Sequence, residues 1–253
     1  MKIAVLVKEV PDTYGERRLD LTTGLLDRSG DLVIDEINER ALEVALLVKD
    51  KDKATEVVVV SVGPDGIKDA LRKKLLAMGA DRAVHIVDDS LAAADSLRTA
   101  RALAEALRDE QADLIVAGNE STDGRGGVVP AMVAELLGLP LLGSLGEVRI
   151  ADGAVEGTRT TADTETVLRA SLPAVVTVTE KSAEARFPNF MGVMGAKKKP
   201  LEQRAPGGEL AGVGTVILSV AERPARQAGE VIEDEGDGGE RIAAFLKAQG
   251  LVK

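Results

Sequence analysis

Residues 117–130 read AGNESTDGRGGVVP, placing four glycines among two hydroxyls and two carboxylates. The run follows apolar DLIVAG (113–118) and leads into a helical pattern from about Val128. Open α/β sheets bind ligands beyond the carboxyl ends of their strands, so a glycine-rich loop here is well placed. Backbone N–H groups of Gly124, Gly126 and Gly127 can approach a phosphate closely, helped by the positive end of the following helix. Ser121 or Asp123 can reach a ribose or a base edge. A plain surface turn has the same composition, and pattern alone leaves both readings open. No Walker A sequence occurs, nor a G-x-G-x-x-G after the first strand. SVGPDG (61–66) also falls short of a phosphate loop, because Pro64 has no N–H to donate; it reads as a strand-to-helix turn.

Other reactive types are scarce. There is no cysteine and a single histidine, His85, set inside the short apolar run AVHIV (83–87), where packing is its expected role. Asp12, Glu16, Arg17, Arg18 and Asp20 form a polar loop after the first strand, read as solvated. No nucleophile, base and orienting group can be assembled, so catalysis by the chain alone is not expected. A different chemistry is suggested by RFPNFMGVMGAKKKP (186–200). The chain has only three Phe and five Met, yet Phe187, Phe190, Met191 and Met194 fall here, followed by Lys197, Lys198 and Lys199 in a protein of net charge −10. Packing beneath the chain's own helices and docking to a partner both suit that pattern.

The elements that must position these residues are legible as alternation. KIAVLV (2–7), EVVVVSV (56–62), AVHIV (83–87), DLIVAG (113–118) and AVVTVT (174–179) are strand-length apolar runs, covered on both faces as in a parallel sheet. Helical patterns at 37–50, 66–79, 95–110 and 127–138 lie between them, with Asp95 as an N-cap and Gly79 and Gly138 as terminators. The expected fold is α/β, a doubly wound, mainly parallel sheet with right-handed crossovers. Residues 146–173 interrupt it with an antiparallel hairpin turning at Asp152-Gly153. The expected division is a core at 1–180 and, at 181–253, a recognition loop and C-terminal arm. Within that arm, EDEGDGGE (233–240) reads as a flexible link and 240–250 as a short helix. Acidity disfavours nucleic acid. No leader and no apolar run of about 18 residues is seen, so a cytoplasmic protein outside the membrane is expected.

Five motifs in one order, VKEVPDT (7–13), LLAMGADRAVHI (75–86), AGNESTDG (117–124), LPAVVTV (172–178) and RFPNFMGVMGAKKKPL (186–201), make the chain resemble the β (small) subunit of electron transfer flavoprotein over nearly its whole length. The resemblance implies an adenine nucleotide α-hydrolase-like fold and a heterodimer with an α subunit that holds most of one FAD. It also implies electrons arriving from acyl-CoA or other dehydrogenases and leaving to a quinone oxidoreductase, as in fatty acid oxidation. A structural AMP would lie against Leu6, Asp35, Glu36, Ile37, Asn38, Val62 and the run Gly118, Asn119, Glu120, Ser121, Thr122, Asp123, Gly124, Arg125, Gly126, Gly127, Val128 and Val129. Thr13 or Tyr14 would approach the flavin. Phe190, by register, would anchor in a dehydrogenase pocket, flanked by Met191 and Met194, with Lys197, Lys198 and Lys199 steering the encounter.

Two positions depart from the family pattern: Ala162 replaces a common acid, and Asp35-Glu36 stands where Asn-Pro is usual. Paired carboxylates there would repel a phosphate unless turned toward ribose or base. Three alternatives accompany this reading: a bifurcating form with a second FAD in place of AMP; a stand-alone ATP-binding or ATP-hydrolysing α/β enzyme; and a nucleotide-sensing stress module that dimerises alone, against which the long tail after residue 180 argues.

Overall fold

The computed structural model describes residues 1–207, 214–225, 229, 231 and 233–252. Two compact units divide the chain, Met1–Leu218 and Ser219–Lys253, so residues 181–207 belong with the α/β core and the boundary falls later than 180. Parts of the expected C-terminal arm (208–213, 226–228, 230, 232 and 253) lie outside the described residues.

In the first unit, strands β1 (Lys2–Leu6), β4 (Glu56–Val62), β5 (Arg82–Ile86), β6 (Leu114–Gly118), β7 (Leu141–Leu145), β11 (Ala174–Val178) and β12 (Leu201–Arg204) form one sheet. Its order is β12-β5-β4-β1-β6-β11-β7, and every pairing is parallel. Two short strands, β2 (Glu9–Pro11) and β3 (Leu32–Ile34), pair antiparallel and bracket an excursion over 12–31. Helices α1 (Glu36–Lys51), α2 (Ile67–Ala70), α3 (Ser96–Glu110) and α4 (Val129–Leu137) supply the crossovers. Helix α2 runs on as a π-helical segment, Leu71–Leu76. The hairpin is a three-stranded antiparallel sheet of β8 (Glu147–Ala151), β9 (Ala154–Thr160) and β10 (Glu165–Ser171), with Asp152 and Gly153 at φ 52° and 70° in its turn.

The unbroken apolar runs have a direct structural cause. Ile3, Val5, Val57 and Val59 point to one face and pack with Leu42 and Leu46 of α1 and with Leu71 and Leu75. Ala4, Leu6, Val58 and Val60 point to the other and pack with Leu103 and Leu107 of α3 and Val133 of α4. Each such fully buried aliphatic side chain contributes about 1.5–3 kcal/mol. Asp95 caps α3, accepting from the Arg98 N–H at 2.8 Å, and Gly138 closes α4 in the left-handed region, as expected.

Sequence patterns missed four elements: β2, β3, β7 and β12. One more differs from expectation: residues expected to form a loop include helix α5 (Phe190–Ala196), capped by Asn189 through the Gly192 N–H at 2.8 Å. The second unit, taken by itself, contains helix α6 (Gly238–Ala248), with Ile242 and Phe245 exposed.

Candidate functional site

A cleft of about 590 Å³ opens along the carboxyl edge of the sheet, where β4, β5, β1 and β6 end. The order in which strands are added reverses at β1, with β4 and β5 laid down on one side and β6 and β11 on the other. This is the position at which open α/β sheets leave a crevice. Leu6, Asn38, Val62, Gly118, Asn119, Glu120, Ser121, Gly124, Gly126, Gly127, Val128 and Val129 all line it. The glycine loop therefore faces a real cavity, and Val128 leads directly into α4.

Asp35, Glu36, Ile37, Thr122, Asp123 and Arg125 are not part of that lining; most of them build the wall from behind. Asp35 is 1% exposed, and its Oδ2 accepts from the Thr122 N–H at 2.7 Å and the Thr122 hydroxyl at 3.2 Å. The Asp35 carboxylate is thus turned into the loop and away from the cleft. Its other oxygen, Oδ1, is buried without a hydrogen-bond partner. Glu36 points to solvent. Ile37 packs under Gly118: a Cβ on Gly118 would stand 2.5 Å from Ile37 Cγ2 and 2.9 Å from Asn38 Nδ2, so only glycine lets α1 approach β6 this closely.

Asp123, whose side chain is 3% exposed, joins three segments. Lys8 Nζ lies 2.6 Å from its Oδ1 and Arg28 Nη2 3.2 Å from its Oδ2. Burial alone would raise the Asp123 carboxyl, but Lys8, the Ser121 hydroxyl and the Gly124 N–H outweigh it and hold it below the usual carboxylate range. Arg125 faces Glu120 at 3.6 Å. Among the further lining residues that the sequence did not single out are Lys8, Leu25, Leu26 and Arg28. The last three come from the 12–31 excursion, of which only Asp12, Glu16, Arg17, Arg18 and Asp20 were read, as solvated. Thr13 and Tyr14 sit at an exposed turn of this excursion, with the Tyr14 N–H donating to Asp12 Oδ1 at 2.9 Å and the Tyr14 ring 98% exposed.

His85 is packed, as expected. It is fully buried, with Nε2 2.9 Å from the Gly63 carbonyl and Nδ1 3.2 Å from Gln203 Nε2. Among the described residues no group of three or more His, Asp or Glu side chains is arranged to hold a metal ion.

The segment around α5 forms a second feature. Phe187, Phe190, Met191 and Met194 are all exposed, and Phe187 is the most exposed at 88%, against 77% for Phe190. They stand on a fixed base. The Arg186 guanidinium binds Glu43 at 2.7 Å and Asp50 at 2.7 Å. Arg72 Nη1 donates to the carbonyls of Ala196, Lys197 and Lys199 at 2.8, 3.2 and 3.1 Å, satisfying the end of α5. Gly192 presses on the Ala77 carbonyl so closely that a Cβ would collide with it. Lys74 Nζ lies 5.9 Å from the Phe187 ring centroid, a cation–π contact. Lys197 and Lys198 are exposed. Lys199 departs from its expected steering role: its ammonium turns inward and donates to the Leu76 and Ala80 carbonyls at 2.9 and 2.7 Å. Burial lowers its pKa, with Lys49 adding to the effect and Asp81 opposing it.

A parallel α/β sheet with a glycine-loop cleft at its switch point, an antiparallel hairpin insert and an exposed apolar helix make up the first unit. Residues 23–207 match the model of the electron transfer flavoprotein domain. The chain is 46% identical to the electron transfer flavoprotein subunit beta of Mycobacterium tuberculosis, with 99% of each chain covered. It is 39% identical to that of Syntrophomonas wolfei, over 93% of this chain and 91% of the relative. It is also 32% identical to the caffeyl-CoA reductase-Etf complex subunit CarD of Acetobacterium woodii, over 79% and 78%. The chain belongs to the electron transfer flavoprotein family, among its beta subunits, and its role is in electron transport.

Proposed function

We propose that the chain is the small subunit of a heterodimer with an electron transfer flavoprotein α subunit, carrying electrons from acyl-CoA or other dehydrogenases to a quinone oxidoreductase. The redox chemistry is supplied by one FAD, held mostly by the α subunit, with Thr13 and Tyr14 available to it at an exposed turn. The carrying observation is the Phe187, Phe190, Met191 and Met194 surface, exposed yet clamped by Arg72 and Arg186. An apolar surface that is rigid before binding loses little entropy on docking, and methionines adapt to several partners. Sequence register named Phe190 as the anchor; its exposure makes Phe187 the leading contact, with Phe190 beside it. Lys197 and Lys198 steer acidic surfaces toward it.

The cleft holds a structural AMP. The residues present suit it: Gly126 and Gly127 bring backbone to the cleft without side chains, and Leu6 and Val62 give an apolar floor. The second unit, with Ile242 and Phe245 exposed on α6, packs on the α subunit. Reconstitution tests this reading. The heterodimer should be reduced by a dehydrogenase with its substrate and reoxidised by the quinone oxidoreductase, whereas the isolated chain should accept no electrons. Electron acceptance by the isolated chain would overturn the assignment.

A further inference from the structure

We propose that Lys8 and Arg28 receive the phosphate of the cleft ligand, and that residues 12–31 are the strap that carries Arg28 to it. The proposal rests on the nucleotide reading above and assigns roles to residues outside the glycine loop.

Charge along the cleft is segregated by strand. Lys8 follows β1, and the loop from Asn119 to Val128 follows the adjacent β6. Asp88 and Asp89, which also line the cleft, follow β5, two strands away from β1. At ordinary strand spacing that separation is about 10 Å. A phosphate is therefore drawn to the β1–β6 end and repelled from the β5 end, so the base lies over β4 and β5.

Two cations share one direct ion-pair partner here: Lys8 and Arg28 both meet Asp123, and both stay partly open to the cleft, with side chains 40% and 33% exposed. Two acids share the lining near them: Glu120, which faces Arg125 at 3.6 Å, and Glu9, whose carboxyl is pushed up by burial against the opposing influence of Arg28.

Both cations are preorganised. The Lys8 N–H donates to Asn38 Oδ1 at 2.7 Å, and its ammonium lies 3.4 Å from the Ser121 hydroxyl. Arg28 Nη1 donates to the Glu9 carbonyl at 3.0 Å, which fixes the guanidinium while Nη2 meets Asp123. Arg17 stitches the same excursion to the Thr122 carbonyl. Leu25 and Leu26 place apolar cover on the cleft beside Arg28.

The test uses the full heterodimer stripped of loosely held nucleotide, titrated with AMP and with adenosine, which lacks the phosphate. Lys8→Met and Arg28→Met should each weaken AMP about 10-fold or more, as expected for a lost charge-assisted hydrogen bond, and adenosine by less than about 2-fold. Lys8→Arg should recover most of the AMP affinity. FAD content and melting temperature of each variant report its folding. Equal loss of AMP and adenosine, or no loss of either, overturns the proposal while leaving the nucleotide reading intact. A wild-type heterodimer that binds neither ligand overturns both.

Discussion

Asp35 and Thr122 are joined twice: one carboxylate oxygen accepts from the backbone N–H of Thr122 at 2.7 Å and from its hydroxyl at 3.2 Å. This contact ties the start of α1 to the glycine loop 87 residues later and sets the loop's height over the cleft. Asp35→Ala should leave the Thr122 N–H unpaired at a buried site, at a cost of about 1–3 kcal/mol. Thermal melting and AMP titration of the heterodimer check it; unchanged values for both would mean the loop is held elsewhere.

The same residue predicts a pH signature. Burial pushes the Asp35 carboxyl above the usual aspartate range, opposed chiefly by the hydrogen bonds from Thr122 and aided by the nearby Asp123 charge. A folded-state value above the unfolded one gives stability that is full below the ordinary value and is lost as pH rises through the raised one. Asp35→Asn keeps an acceptor for Thr122 and cannot ionise. The stability of wild type minus that of the variant should therefore fall as pH rises from about 4 toward neutrality. Denaturant melts across that range would show a flat difference if the account were wrong.

Gly118→Ala inserts a methyl 2.5 Å from Ile37 Cγ2. Relieving it must push α1 from β6, at about 1–3 kcal/mol of overpacking strain. The change should also weaken nucleotide binding, because Asn38 and Gly118 both line the cleft. An unshifted melting temperature would contradict the close approach.

Phe187→Ala and Phe190→Ala should slow electron transfer from a dehydrogenase without altering bound-flavin absorbance, each losing up to about 1.5–3 kcal/mol of docking energy. Phe187 should have the larger effect. Equal rates in variants and wild type would remove the docking role of this surface.

The three lysines should behave differently. Charge reversal at Lys197 and Lys198 should lower the association rate more at low salt than at high salt. Lys199→Met should instead lower stability, since it removes the donor from the buried Leu76 and Ala80 carbonyls. A stability loss from the first pair, or a salt-dependent rate effect from Lys199 alone, would reverse this division.

The sheet's centre was legible in the sequence because β1, β4, β6 and β11 are apolar on both faces, and their runs admit few other readings. The edges were not. LEQR of β12 pairs only with β5 and stays half solvated, so it carries no apolar run. Strands β2 and β3 are three residues each, too short for a period. Helix α5 contains two glycines and exposes its large apolar residues; Asn189, Arg72 and the Ala77 carbonyl hold it from outside. In the site, glycine spacing pointed to the loop, whereas Leu6, Val62 and Asn38 came only from the resemblance to the family. Arg28 and Leu25 reach the cleft only through the path of the 12–31 excursion, which no local pattern encodes. Contacts such as Arg186 with Glu43, 143 residues apart, belong to the tertiary fold alone.

The most direct test of the central claim is the nucleotide content of the co-expressed heterodimer and of the isolated chain, released by acid and weighed by mass spectrometry. One FAD and one AMP per heterodimer, with AMP but no stoichiometric flavin on the isolated chain, is the predicted result. Two flavins per heterodimer without AMP, or tight stoichiometric FAD on this chain alone, would contradict it.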